Sequence, residues 1–162
     1  MKKIIVTGGA GFIGTNLIKR LLKENHDVIS IDNYNTGLKN NHQKGCKYLE
    51  YDITTINDYN FIKPNIIYHL AAIARIKQSF KNPYTFSKDI GEEIIKLYQE
   101  HFNLKSSIVR FYNVYGPHQL IEGGYTTLIG RWLNNIKNDL PCEIYGDGEK
   151  RRDFTHVDDI VE

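Results

Sequence analysis

Cysteine is scarce in this chain. Cys46 and Cys142 are the two in 162 residues, far apart and in no metal-ligand spacing. A reduced, cytoplasmic setting is the expectation, and no metal centre is expected. Charge of one sign is lacking too. Lys and Arg number 21 against 19 Asp and Glu, a net charge of +2. The basic residues are scattered, with no basic stripe interleaved by aromatics, so a nucleic-acid partner is not expected. Long apolar runs are also missing. Met1-Lys2-Lys3-Ile4-Ile5-Val6 starts like a signal sequence, but Gly8 and Gly9 break it. Neither a signal peptide nor a membrane span follows from such a run. Repeats, linkers and low-complexity tracts are lacking as well.

What is present is ordinary for a soluble globular domain: 41% apolar and 25% charged residues. The length suits one domain with a real core. Short β-rich runs alternate with helical patterns. Strands are expected at Lys2–Thr7, Asp27–Asp32, Lys47–Tyr51, Asn65–Leu70, Ser106–Phe111 and Cys142–Tyr145. Helices are expected at Phe12–Lys23, Tyr84–Phe102 and Thr126–Asn138. In the second of these, Phe86, Ile90, Ile94 and Tyr98 form one stripe. Asn33–Gly45 reads as a polar loop, and the glycines and proline from Gly116 to Gly124 mark a longer one. This alternation argues an α/β fold with a mainly parallel sheet.

The first strand meets the first helix through Thr7-Gly8-Gly9-Ala10-Gly11-Phe12-Ile13-Gly14. Gly8, Gly11 and Gly14 supply a tight turn, a close approach of backbone to a pyrophosphate, and close helix packing. The helix start then offers free N–H groups and a positive dipole end to phosphates. Position sharpens the signal, because the motif follows a strand and opens a helix. Asp32 ends the second strand, 24 residues after Gly8. A carboxylate there accepts hydrogen bonds from the adenosine ribose and repels a 2′-phosphate. No Arg or Lys follows until Lys39, so NAD is expected over NADP. Asp52, after the third strand, is either an adenine contact or a turn residue.

These residues resemble the extended short-chain dehydrogenase/reductase family, and its nucleotide-sugar epimerase branch in particular. The resemblance continues through Asp32-Asn33-Tyr34-Asn35-Thr36-Gly37 and Asp52-Ile53, and then His69-Leu70-Ala71-Ala72. It implies a doubly wound, Rossmann-like parallel sheet. It also implies a cofactor site built from Gly8, Gly11, Phe12, Ile13, Gly14, Asp32, Asn33, Asn35, Gly37, Asp52, Ile53, Leu70, Ala71 and Ala72. Tyr84-Thr85-Phe86-Ser87-Lys88 has the Y-x-x-x-K form of the family's catalytic pair. By that resemblance Tyr84 is the base, and Lys88 also holds the nicotinamide ribose. The pairing has a physical logic: i and i+4 share a helix face. A phenol titrates at about pH 10, and a nearby ammonium lowers that value. The phenolate can then take a proton from a sugar hydroxyl.

Arg110-Phe111-Tyr112-Asn113-Val114-Tyr115-Gly116-Pro117 resembles the family's R-x-x-N-x-Y-G-P stretch. Its asparagine, here Asn113, would touch a sugar nucleotide. Tyr145 and Arg152 match positions at the nucleotide-binding end of the substrate lobe. Arg152 suits a diphosphate, because a guanidinium fork matches phosphate oxygens. Tyr145 would stack on a base. His69 and His156 read as structural histidines.

The chain also departs from that pattern. Only 14 residues lie between His69 and Tyr84. The family places a helix, a strand and a Ser/Thr-bearing stretch there; one crossover unit needs about 30 residues or more, so at least one strand-and-helix unit is missing. Ser79 is not in the expected motif. The chain stops at Glu162, where a family helix would begin, which leaves a remnant of the substrate lobe. A missing strand exposes backbone groups that something else must cover. A homo-oligomer is therefore expected, a dimer first. Residues 1–116 would form the NAD-binding core and 117–162 the remnant of the nucleotide-sugar lobe, packed as one compact unit. The expected activity is NAD-dependent 4-epimerisation of a UDP-hexose such as UDP-glucose or UDP-galactose. The alternatives are a binding protein without turnover and a 4,6-dehydratase or decarboxylase relative.

Overall fold

The computed structural model describes residues 1–55, 63–72, 84–123 and 126–162, with the backbone alone for 84–90. The chain divides into two compact units. One joins Met1–Ala72 to Tyr112–Glu162, and the other is Ile73–Phe111.

The first unit is built on a parallel four-stranded sheet. Its strands are β1 (Lys3–Thr7), β2 (Asp27–Asp32), β3 (Lys47–Glu50) and β4 (Ile66–His69), in the order β3-β2-β1-β4. Helix α1 (Phe12–Lys23) carries the chain from β1 to β2. Strand alternation sends Ile4, Val6 and Val28 to one face, where Leu17, Ile18 and Leu21 of α1 pack on them. Ile5, Ile29 and Ile31 form the opposite cluster, with Leu49 and Ile53 against it. The inner strands β1 and β2 are thus buried on both faces, while Ile67 and Tyr68 of β4 stay exposed.

Helix α1 ends sharply. Asn25 takes a left-handed backbone (φ 60). The His26 N–H then donates to the Leu21 carbonyl and the Asn25 N–H to the Leu22 carbonyl. This is the paired closure of a Schellman end, which returns the chain directly into β2.

The rest of this unit is sparser. Strand β5 (Val114–Tyr115) pairs in parallel with β6 (Thr155–His156), and the short helix α4 (Val157–Val161) follows. Val157 is fully buried, and Val161 packs on the α1 side of the core. Helix α3 (Leu128–Lys137) is capped by the Thr127 hydroxyl, which accepts from the Gly130 N–H at 3.4 Å. In the second unit, helix α2 (Tyr84–Phe102) is followed by a segment without regular secondary structure. Arg110 donates to both oxygens of Glu92, at 2.8 and 2.7 Å.

Two expected strands do not form. Ser106–Phe111 and Cys142–Tyr145 join no ladder. Among the described residues neither finds a partner strand, and Val109, Ile144 and Tyr145 stay exposed. Without a ladder, β-forming side chains do not make a strand. The third helix is shorter than expected at each end, because Thr127 and Asn138 serve as its caps. No helix among the described residues is long and apolar enough to cross a membrane.

Candidate functional site

The glycine loop is shaped by contacts that no side chain could share. Gly8 has φ +71, and a Cβ on it would lie 2.9 Å from the Ala71 nitrogen. A Cβ on Gly14 would run into the Gly8 carbonyl oxygen and the Gly9 Cα. Gly11 occupies the N-cap of α1 and brings no capping side chain, and the first turn holds no acidic residue. Phe12, Ile13 and Gly14 therefore open the helix with amide groups available to an anion.

Asp32 ties this loop to the next one. It is nearly buried at 7% exposure. Its Oδ2 accepts from the Ala10 N–H at 2.9 Å, and its Oδ1 accepts from the Tyr34 N–H at 2.8 Å. A carboxylate has about four acceptor positions, so capacity for ribose hydroxyls remains. A Cβ on Gly37 would sit 2.9 Å from both Asp32 oxygens, so only glycine lets the loop lie this close. The Ala10 carbonyl accepts from the Leu38 N–H and from Asn41 Nδ2.

Beside it, Asn33 Nδ2 donates to Asp52 Oδ2 at 3.0 Å, and Asn33 Oδ1 accepts from the Asn35 N–H. Asp52 Oδ1 accepts from the Thr54 hydroxyl and N–H. These donors, with Asn33, hold the Asp52 carboxyl below the usual carboxylate range. The structure thus gathers Gly8, Gly11, Phe12, Ile13, Gly14, Asp32, Asn33, Asn35, Gly37, Asp52 and Ile53 around the upper ends of β1, β2 and β3. Ala10, Tyr34 and Asn41 belong to the same network and carry no recognisable sequence signal.

At the end of β4, Thr7 Oγ1 meets His69 Nδ1 at 2.9 Å and accepts from the Ala71 N–H at 3.2 Å. Leu70 donates from its N–H to the Thr7 carbonyl. Leu70 and Ala71 are thereby held against Gly8. Burial of the His69 ring pushes its pKa below the ordinary histidine value. This fits a hydrogen-bonded structural histidine. Tyr84 and Lys88 stand one turn apart on the α2 backbone. Their side chains lie outside the described residues, as does Ser79.

A second concavity opens in the first unit, about 240 Å³ in volume. Asn113, Tyr115, Leu128, Arg152 and Phe154 line it. Asn113 takes a left-handed backbone (φ 43) and donates from Nδ2 to the Asp153 carbonyl at 3.0 Å. Arg152 makes no ion pair among the described residues, so its guanidinium is available to an anion. Tyr145 does not join this cleft. Arg131 lies 5.8 Å over its ring, and its hydroxyl donates to Glu143. Sequence reading found Asn113 and Arg152 but missed Leu128 and Phe154, which supply the apolar wall.

The family model for the NAD dependent epimerase/dehydratase family matches residues 4–86 and again 80–162. A Methanocaldococcus jannaschii protein provisionally named a UDP-glucose 4-epimerase is 29% identical over 217 residues, covering 98% of this chain and 70% of that protein. A UDP-N-acetyl-alpha-D-glucosaminuronate decarboxylase from Bacillus cytotoxicus is 26% identical, covering 99% of this chain and 69% of its own length. Among solved structures, the UDP-glucose 4-epimerase of Thermotoga maritima with UDP-glucose superposes with a TM-score of 0.91 at 23% identity. It covers 98% of this chain and 71% of that one. That likeness shows the Rossmann-like fold. The aligned stretch of 217 residues against 162 here, and the two family matches meeting at residues 80–86, place the shortening inside the chain.

Proposed function

The chain belongs to the NAD dependent epimerase/dehydratase family, whose cofactor is NAD, and from that premise we propose that it is a minimal nucleotide-sugar epimerase. The reaction is 4-epimerisation of a UDP-hexose of the UDP-glucose/UDP-galactose kind. The observation that carries this reading is one folded unit with two complementary places. One is a glycine cradle closed by Asp32, and the other is a cleft where Asn113 and Arg152 meet an apolar wall.

The cradle fits NAD on its own geometry. A Cβ at Gly8, Gly14 or Gly37 would strike the loop's own neighbours, so glycine lets the backbone fold this tightly, and the bare start of α1 leaves its first amides open to a pyrophosphate. Gly11, Phe12, Ile13 and Gly14 hold the pyrophosphate, and Asp32 takes the adenosine ribose. Asn33, Asn35, Gly37, Asp52 and Ile53 bound the adenine side. Leu70, Ala71 and Ala72 bound the nicotinamide side. The Asp32 carboxylate would repel a 2′-phosphate, so NAD is bound in preference to NADP. When bound, NAD supplies the reversible two-electron oxidation of the sugar carbon. Tyr84 takes the proton from the sugar hydroxyl, and Lys88 lowers the phenol's pKa. Arg152 binds the diphosphate and Asn113 the sugar nucleotide, whereas Tyr145, expected to stack on the base, stands outside this cleft. Residues 1–116 form the NAD-binding core and 117–162 the remnant of the nucleotide-sugar lobe, with Asn113 of the core reaching into the cleft. The protein works in the cytoplasm as a homodimer.

A second reading rests on the short stretch between His69 and Tyr84, which removes the place where the family carries its Ser or Thr. In that reading the protein binds NAD or a sugar nucleotide without turnover, or runs a related dehydratase or decarboxylase reaction. Incubation of the purified protein with NAD and UDP-galactose, followed by chromatography for UDP-glucose, separates the readings. The epimerase reading expects interconversion, lost in Tyr84→Phe with NAD binding kept. No interconversion of any UDP-hexose at high protein loading sinks it.

A further inference from the structure

Asn16 sits on the buried side of α1, 6% exposed. Its Nδ2 donates to the Phe12 carbonyl at 3.0 Å, within the helix. The same nitrogen donates to the Pro117 carbonyl at 2.8 Å, 101 residues further along. The amide nitrogen carries two N–H donors, and the Phe12 carbonyl takes one of them. The second bond leaves the helix and takes hold of another segment of the same unit.

That segment is otherwise held by a short ladder, by buried Val114 and by the Tyr115 ring edge-on to His156. Its ladder, β5 with β6, is two residues long. Asn113 and Gly116 have positive φ, at 43 and 141. Side-chain amides pin both ends of it to main-chain carbonyls: Asn113 Nδ2 on Asp153, and Asn16 Nδ2 on Pro117. Asn113 at the first pin, with Val114 and Tyr115 between the pins, lines the cleft with Arg152.

We propose that Asn16, though it lies on the cofactor helix, is a positioning residue for the nucleotide-sugar cleft. Its amide fixes the height of Pro117, and through it the placement of Tyr115 and Asn113 against Arg152. This inference rests on the reading that the cleft takes the nucleotide part of a sugar nucleotide.

The test is Asn16→Ser. A serine hydroxyl on a helix can bond the carbonyl four residues back, here Phe12, but is too short to reach Pro117. The variant therefore isolates the long bond. Calorimetric titration with UDP and, separately, with NAD is run well below the melting midpoint of each protein. The expected result is a loss of about 5- to 30-fold in UDP affinity, the worth of one buried hydrogen bond, with NAD affinity unchanged within about twofold. Amide exchange at Gly116 to Gln119 should quicken in the same variant. Asn16→Asp, isosteric but unable to donate when ionised, should lose at least as much UDP affinity. Equal weakening of UDP and NAD would mean a merely structural role, and unchanged UDP affinity would mean that the Pro117 bond is idle. Either result overturns the inference. A wild-type protein that binds NAD but not UDP would overturn the nucleotide-sugar reading first, and this inference with it.

Discussion

Ile4-Ile5-Val6-Thr7 and Ser107-Ile108-Val109-Arg110 carry much the same β-forming side chains and reach different ends. In the first stretch, β1 lies between β2 and β4 and its apolar side chains are fully buried. In the second, Val109 is 67% exposed and no ladder forms. Cys142–Tyr145 repeats the second outcome. The difference teaches that a neighbour on the ladder, rather than propensity, makes a strand here. Each Ile or Val that β1 buries contributes about 1.5–3 kcal/mol, which the exposed segments forgo. The two family matches meet at residues 80–86, and the chain is shortened relative to its relatives. That shortening is consistent with Ser106–Phe111 having lost the strand that would have laddered with it.

The largest effect should come from the tightest point of the ordered region. Gly14→Val puts a branched side chain against the Gly8 carbonyl and the Gly9 backbone, with no room to turn away. NAD binding measured by calorimetry should become undetectable, and the melting midpoint should fall. NAD binding within tenfold of wild type would show that the loop is not the rigid cradle described.

A paired test reads the contrast directly. Ile18 is fully buried between α1 and the sheet, whereas Ile144 is 63% exposed. Ile18→Ala should cost about 2–5 kcal/mol by urea unfolding, and Ile144→Ala under about 0.5 kcal/mol. Comparable costs would mean that Cys142–Tyr145 packs on something in solution, a partner copy included.

The same contrast explains what could be read in the sequence. Helix α1 was legible to the residue, because its glycines, its apolar spacing and its end are all local. β1, β2 and the cofactor loop were legible for the same reason. The two unladdered segments were misread because their state depends on a distant partner that no local pattern reports. The β5–β6 ladder, at two residues, is too short to leave a periodicity. In the candidate site, Gly8, Gly14 and Asp32 announced themselves by spacing. Asn41 and Asn16 did not, because the carbonyls they hold lie 31 and 101 residues away. Asn113 and Arg152 were found through family resemblance and do share a cleft, whereas Tyr145 lies apart from them.

The two cysteines carry the comparison to a chemical readout. Cys46 is partly buried beside the α1 core, and Cys142 is exposed on an unladdered segment. Burial pushes the Cys46 thiol up to about 11. Only the thiolate reacts, and at pH 8 a thiol of pKa about 11 is ionised about a hundredfold less than an unperturbed one near 9. Labelling with a disulfide reagent at pH 8 should therefore show one fast thiol, Cys142, and one slower by about 100-fold or more. In denaturant the two rates should converge. The raised pKa also fixes a direction for stability. The native state favours the protonated thiol, so its contribution is present below the unfolded value near 9 and is lost as pH rises through about 11. Tyr48, pushed up to about 12 chiefly by burial, acts in the same sense. Between pH 9 and 11 the melting midpoint should fall more steeply for the native chain than for Cys46→Ala. Equal native labelling rates would mean that the region around β3 opens as freely as the exposed segments, and the contrast between the two regions would fail at that point.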